Sequence, residues 1–533
     1  MVHLRTISEF GKKESRIILL LICLFYLING ICYLRSQSIT SDESAFYNYA
    51  KRMVKGNPNR VDRIIDDSKT PIVILNLIPR LAEKIIHPAE HKTDWGEEDI
   101  IRGRYITMIV SVLVILLVYL WARQLYGFCA GLFAAFLISM SPNNIALAGF
   151  VTTDAYSVLF LLLAFYCMWR MLYIRSFNYF IFFCLAVGLA QLVKPSLFHL
   201  YILLPLTLLV YFFMTGAAIR WSVILKYLII FLFFQWLIIN VAYYFYGTNK
   251  FLGDYHFISH SFQSVQKLLP SRLPVPLPEP FLEELDMSGY NDRLGGGYFE
   301  SSFGKITILG RSSVGGSFWY YYLVSIIFKT PITYFVLLCW AIFAGFKNPV
   351  LKKRGRHILF LVMPLLYFIF IFSFLYKTQI GIRHVIFLYP FICILCSSVI
   401  PFINSVYKKR AILFLSIYLV ISVLYYWRNY YPYTNEFIWN KTYAYKWVGA
   451  SNLEIHQGAR FKAEYLLQHP TVKPAGNSPD TGEFIIRVDD YLDLFGNHWY
   501  DWISSIEPHG QVAFDYLLIR VEPSDLIKSK IIR

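Results

Sequence analysis

The sequence has 533 residues, of which 56% are hydrophobic and 18% aromatic but only 16% charged. A soluble domain carries about 25% charged residues, so the composition excludes a soluble globular enzyme and specifies a polytopic membrane protein. The formal charge of +16 would suggest nucleic acid as the partner of a soluble chain. In a membrane protein it raises instead the question of which side the basic loops face, and no nucleic acid is expected.

A spanning helix needs about 20 apolar residues. In chain order, spans are expected near 16–34, 103–122, 126–143, 154–172, 177–193, 195–214, 222–246, 329–346, 357–376, 381–402 and 411–427. Pro142 and two asparagines shorten the third of these eleven. The first is nearer a full span than a signal-peptide core, and no small-residue cleavage site follows it. Arg5, Lys12, Lys13 and Arg16 precede it, and basic clusters at Arg123, Arg170/Arg175, Arg220, Lys347–Arg356 and Lys408–Arg410 follow the even-numbered spans. All then fall on one side, which the positive-inside rule makes cytoplasmic. The N-terminus is expected inside and the C-terminus outside.

Residues 35–99, 247–315 and the polar tail then lie outside. The tail, 428–533, reads as a small α+β domain, with a helix near 457–469 and strand-like runs "EFIIRV" and "QVAFDYLLIRV". Residues 1–427 form the transmembrane unit. "SRLPVPLPEP" is an extended Pro-rich loop. The eight cysteines lie in or beside apolar segments; Cys393 and Cys396 form a CxxC without a second pair or histidine nearby, so neither zinc nor redox chemistry is expected.

The span centres carry almost no ionisable residue. Asp42, Glu43, Lys69, Asp154, Lys194, Arg383 and His384 gather instead at the outer ends. A proton-coupled transporter would place acids or histidines at mid-span, whereas this pattern suits a reaction site at the outer membrane–water boundary. In "TSDESAFYNYAKRM", Asp42 and Glu43 open an interfacial helix capped by Ser41 and ended by Gly56. A carboxylate fixed there can also serve as a general base. Asp154 opens the fourth span in the same way. Lys69 and Lys194, each close to a proline, read either as headgroup anchors or as phosphate ligands, and Arg383 can grip a phosphate bidentately.

These segments, in this order, resemble the polytopic GT-C glycosyltransferases of the protein O-mannosyltransferase and lipid A aminoarabinose transferase type. The resemblance rests on "SDESAFY", on Lys69-Thr70-Pro71, on Asp154 and on "GLAQLVKPS". It also rests on "LGRSSVGGSFWYYYLVSIIFKTP" at 309–331, "GIRHVIFLYPF" and "SNLEIHQGARFKAEYL". Departures are Thr70 for a proline, His384 for a tyrosine, and Glu454, Ile455 and His456 for Asp-Trp-Gly. The 247–315 loop is too short for the β-trefoil domain of eukaryotic members.

The resemblance implies a mainly α-helical GT-C membrane fold. It implies transfer of a sugar from a polyprenyl-phosphate donor to a protein, lipid or glycan acceptor on the outer face of the cell (inner) membrane, with inversion. Asp42, Glu43 and Asp154 would be catalytic, Lys69, Lys194 and Arg383 would hold the donor phosphate, and His384, Arg311 and Tyr321 would border the substrate. No cofactor or metal is required, although Asp42, Glu43 and Asp154 together could hold a divalent cation. The rival function is a transporter or flippase of lipid-linked glycans.

Overall fold

The structure is a computed structural model, and it describes residues 12–60, 68–86, 96–216, 221–295, 305–347 and 355–526. Each expected span coincides with an apolar helical segment, but the segments differ in kind. Six are single helices long and apolar enough to cross a membrane: Glu14–Ser36, Glu97–Tyr126, Asp154–Ile174, Pro195–Thr215, Trp221–Ala242 and Gly355–Phe374. The number rises to eight if two bent pairs each count as one span.

The first bent pair, Phe128–Ser139 and Pro142–Ala148, turns by 64°. Pro142 lacks an N–H to continue the helix, so Ser141 starts a new one and accepts the Asn144 N–H at 3.4 Å. The second pair, Tyr321–Lys329 and Ile332–Gly345, turns by 104°. There Pro331 forces Thr330 into an extended conformation (φ −105°, ψ 131°). The Phe177–Gln191 helix has 15 residues, about 22 Å at the α-helical rise, less than the roughly 30 Å of a bilayer core. The segment expected at 381–402 opens as two 3₁₀ turns, Ile382–His384 and Ile386–Leu388, before the Tyr389–Ser397 helix. Those turns hold Arg383 at a corner.

The outer stretch 247–315 contains helices His260–Leu268 and Glu279–Leu294 and an antiparallel hairpin of β1 (Lys305–Ile308) and β2 (Arg311–Val314). The tail carries a four-stranded sheet in the order β3-β4-β6-β5, from β3 (Val472–Pro474), β4 (Gly482–Arg487), β5 (Gly510–Val512) and β6 (Tyr516–Val521). The run "QVAFDYLLIRV" is therefore two strands. Ala513 (φ 53°) and Phe514 (φ 65°) turn the chain between them, the left-handed pair that a tight hairpin requires.

Alternation along β4 and β6 sorts the side chains between two faces. Phe484, Ile486, Leu517 and Ile519 pack with Tyr445, Val448, Leu453, Tyr491 and Trp502. Ile485, Tyr516 and Leu518 meet Val472, Tyr465 and Leu466 on the other side. Tyr426, Tyr430, Tyr431 and Tyr433 still belong to the membrane core, and Phe514 at the hairpin tip lies 4.5 Å from the Tyr426 ring.

Lys329, wholly buried at the corner before Pro331, donates to the carbonyls of Tyr431 and Asn452. Asn452 in turn accepts the Ile382 N–H at 2.8 Å and donates to Ser325 Oγ at 3.1 Å. The Ser38 N–H donates to the Gln457 carbonyl at 3.0 Å, and the Arg460 N–H to Ser38 Oγ at 2.8 Å. The tail is thus bonded to the very segments that carry Asp42 and Arg383.

Candidate active site

The Ser41–Val54 helix is capped by Thr40, one residue before the expected Ser41, in a capping box. The Glu43 N–H donates to Thr40 Oγ1 at 3.3 Å, and the Thr40 N–H to Glu43 Oε2 at 2.9 Å. Glu43 is completely buried and also receives Arg104 Nε at 2.8 Å, Arg104 Nη2 at 2.7 Å and the Val151 N–H at 2.9 Å. The guanidinium spends its other hydrogens on the carbonyls of Leu34, Gln37 and Ser38, at 2.7, 3.1 and 2.7 Å. A buried ion pair is tolerable when every donor and acceptor is met in this way. Both Glu43 oxygens are thus committed to holding the helix start against the Glu97–Tyr126 helix.

Asp42, next in sequence, has a different fate. Its carboxylate, 33% exposed, pairs with Arg383, which is 20% exposed. Burial pushes the Asp42 carboxyl up, but the charges of Arg383, Lys69 and Lys194 outweigh it and hold the group at about 2. Two of these cations, Lys69 and Lys194, are brought together by bonds between their loops, and Arg383 reaches them through its pair with Asp42. Thr70 Oγ1 donates to the Val193 carbonyl at 3.0 Å and the Ile72 N–H to Leu192 at 3.3 Å, so the Lys69 and Lys194 loops run side by side. Lys69 Nζ lies 4.4 Å from the Phe46 ring centre and donates to Ser68 Oγ at 3.1 Å. Arg60 steadies the Lys69 carbonyl at 3.1 Å while paired with the buried Glu284.

Asp154, almost wholly buried, pairs with Lys194 and accepts Thr152 Oγ1 at 3.0 Å. Arg383 is aimed by its own corner. Gly381 has φ 89°, and a Cβ there would fall 2.4 Å from the Ser451 carbonyl, so only glycine fits. The Gly381 N–H donates to the Tyr321 hydroxyl at 3.0 Å. His384 Nδ1 lies 3.2 Å from the Tyr322 hydroxyl, with the two rings stacked.

Asp42, Lys69, Asp154, Lys194 and Arg383 therefore form one group at one end of the helices. Glu43 lies beneath it, and Tyr321 and His384 shape its edge. Arg311 lies apart, exposed on β2, with no side-chain hydrogen bond or ion pair among the described residues.

Two members were missed in the sequence. Arg104 had a visible signal, an arginine at the end of a span away from the basic loops and so against the charge bias. Tyr431, buried and in the field of Arg383, Asp154 and Asp42, had none, because it reaches the site from beyond the last span. Its phenol is pushed up by burial, with Arg383 opposing. The divalent cation considered for Asp42, Glu43 and Asp154 finds each acid engaged by a basic side chain. Among the described residues, three donor atoms with metal spacing come together instead at Asp493, His498 and Asp501, on the surface of the tail.

Residues 96–244, which include Asp154 and Lys194, match the family described as dolichyl-phosphate-mannose-protein mannosyltransferase. Among curated proteins, none matches the sequence. Among solved structures, ArnT from Cupriavidus metallidurans in the apo state superposes with a TM-score of 0.50 at 12% identity, over 95% of this chain and 98% of that one. The same protein bound to undecaprenyl phosphate gives 0.49 at 12% identity over the same shares. The apo Archaeoglobus fulgidus oligosaccharyltransferase gives 0.47 at 15% identity, over 91% of this chain and 60% of that one.

Fold and helix content define the class: a multi-pass membrane protein of GT-C architecture. Within that class the motif resemblance holds. The fold is of the ArnT type, and the mannosyltransferase match covers its 96–244 segment.

Proposed function

We propose that the protein is a glycosyltransferase that moves a sugar from a polyprenyl-phosphate donor to an acceptor at the extracytoplasmic face of the membrane. The observation that carries this reading is the convergence of Lys69, Lys194 and Arg383 around the ionised Asp42. Three cations against the two carboxylates of Asp42 and Asp154 leave one surplus positive charge at the mouth of an apolar bundle, and a lipid-linked phosphate would neutralise it. ArnT bound to undecaprenyl phosphate and the archaeal oligosaccharyltransferase in complex with a dolichol-phosphate support a donor of this class. The one-sided basic loops support a cytoplasmic N-terminus, and hence an outer site served by the 428–533 tail.

In the reaction, the bond between the sugar C1 and the phosphate oxygen breaks as the acceptor oxygen attacks C1 from the opposite face, with inversion. The electron pair leaves on the polyprenyl phosphate. Arg383 and Lys69 stabilise that charge, a contribution typically worth ~10²–10³ in rate. Lys194, held by Asp154, adds to the same field. With a hydroxyl acceptor the proton passes to an Asp42 oxygen; a phosphate acceptor, already ionised, needs no base, and Asp42 then orients groups. Glu43 positions the helix through Arg104 and takes no part in proton transfer. Tyr321 aims the Arg383 corner. No step calls for a metal.

Membranes containing the protein, incubated with a panel of labelled polyprenyl-phosphate sugars, test the reading. Label should enter protein or lipid with the wild type and fail to enter with Asp42→Asn at equal membrane content. Donor uptake without any transfer would favour the flippase.

A further inference from the structure

The end of the bundle remote from Asp42 carries a cleft that the transfer reaction does not use. Asp154 opens a 21-residue helix within the Asp42 group, and at the α-helical rise its last turn lies about 30 Å away. There the ends of three helices, Asp154–Ile174, Pro195–Thr215 and Gly355–Phe374, enclose a cleft of about 200 Å³. Its polar and aromatic lining is Trp169, Tyr173, Arg175, Tyr211, Arg356 and His357.

The aromatic wall is held in place by its own contacts. Trp169 is buried and donates its Nε1–H to His357 Nδ1 at 3.0 Å, which places the imidazole proton on Nε2. Trp169 and Tyr173 stack at 5.8 Å, and the His357 ring meets both edge to face.

The two arginines have no such engagement. Other arginines near these helix ends are occupied: Arg123 lies over the Phe128 ring at 4.1 Å, and Arg170 donates to the Tyr179 hydroxyl at 3.3 Å. Arg175 and Arg356 are exposed, and neither has a side-chain hydrogen bond or ion pair among the described residues. The sequence offers no counter-charge either. Segments 170–177, 214–221 and 345–357, which surround the cleft, contain lysine and arginine but no aspartate or glutamate.

Two guanidiniums lining one cleft repel each other unless an anion lies between them. Their planar forks match the oxygens of a phosphate, and basic pockets between span ends suit anionic headgroups. The volume falls below the roughly 300–1,000 Å³ of sites that enclose a whole small molecule, so it fits one compact group. We propose that this cleft is a binding site for a phosphate group, carried by an anionic lipid or free in solution. Arg175 and Arg356 hold its charge, and Trp169, Tyr173 and His357 form its wall. Such a ligand ties together the far ends of the two helices whose near ends meet in the Asp154–Lys194 pair.

The test titrates phosphatidylglycerol, zwitterionic phosphatidylcholine and inorganic phosphate separately into the full-length protein in neutral detergent, and counts bound ligand by native mass spectrometry. The expected result is one saturable equivalent of phosphatidylglycerol or of inorganic phosphate. Arg175→Gln/Arg356→Gln should abolish it and Arg383→Ala should retain it, which separates this cleft from the Asp42 group. Saturation by the lipid alone identifies a headgroup as the ligand, and saturation by inorganic phosphate identifies a site open to soluble phosphates. No saturable equivalent of either, equal uptake of phosphatidylcholine, full retention in the double variant, or loss in Arg383→Ala would each overturn the proposal. Both arginines are exposed, so the double variant should melt like the wild type; if it does not fold, Arg356→Gln alone, expected to weaken binding at least tenfold, takes its place.

Discussion

Replacing Glu43 by glutamine and Asp42 by asparagine should separate two adjacent acids that look alike in sequence. The Glu43 carboxylate faces four donors: the Thr40 N–H, two Arg104 N–H groups and the Val151 N–H. An amide puts an NH₂ against at least one of those donors and leaves the Arg104 guanidinium buried without its counter-charge. Stranding one partner of a buried pair costs about 3–5 kcal/mol. Asp42 is 33% exposed, pairs directly with Arg383 alone and sits in the field of Lys69 and Lys194, so solvent screens what its charge contributes. Thermal unfolding of the detergent-solubilised protein should therefore show a drop of several degrees for Glu43→Gln and a clearly smaller one for Asp42→Asn. Sugar transfer measured on the folded fraction should show the reverse order, a loss for Asp42→Asn and a partial retention for Glu43→Gln. Equal destabilisation by the two variants would refute the division of labour.

The remaining expectations concern the cations and pH. Lys194→Met leaves Asp154 buried and unpaired and should destabilise by about 3 kcal/mol, whereas Lys194→Met/Asp154→Asn should recover much of that, a coupling that a double-mutant cycle in melting temperature measures. Arg383→Ala should weaken polyprenyl-phosphate binding and cut transfer by ~10²–10³, with Arg383→Lys restoring part of the binding but not the bidentate grip. The Asp42 carboxyl is depressed from 3.8 to about 2, so its stabilising charge is fully present above pH 3.8 and is lost only as pH falls through about 2. A wild-type pH–rate profile should accordingly show no acidic limb above pH 4 that belongs to Asp42.

Much of this was legible in the sequence, for identifiable reasons. Apolar length marks a helix whatever its surroundings, so every expected span found a helical segment. Proline chemistry then decided which segments stay straight: Pro142 and Pro331 broke two of them, and the corner at Pro331 turned the aromatic stretch at 321–329 into part of the site's wall. Asp42, Lys69, Asp154, Lys194 and Arg383 were visible because the span centres carry almost no ionisable residue while these gather at the ends on the side opposite the basic loops. What remained hidden was pairing. Nothing local indicates that Glu43 meets Arg104 across 61 positions while Asp42 meets Arg383 across 341, and that difference separates a wholly committed acid from a partly open one. The Thr40 cap was missed by one residue because threonine and serine are adjacent and both cap well. The single strand read in "QVAFDYLLIRV" failed because its three-residue turn, Ala513-Phe514-Asp515, has no glycine, proline or asparagine and only Asp515 to announce it.

Lys329 has a consequence for how this architecture can be cut and recombined. Its ammonium is wholly buried in the protein, yet both of its carbonyl partners, Tyr431 and Asn452, come from beyond the last apolar helix. A chain stopped near residue 427 would strand a positive charge among hydrocarbon side chains, so the eleven apolar segments are no self-sufficient module. Exchanging outer tails between relatives to alter acceptor choice would succeed only if the donor tail brought equivalent carbonyls to that lysine. A lysine-to-methionine change at 329 is the companion edit that would make such chimaeras tolerable.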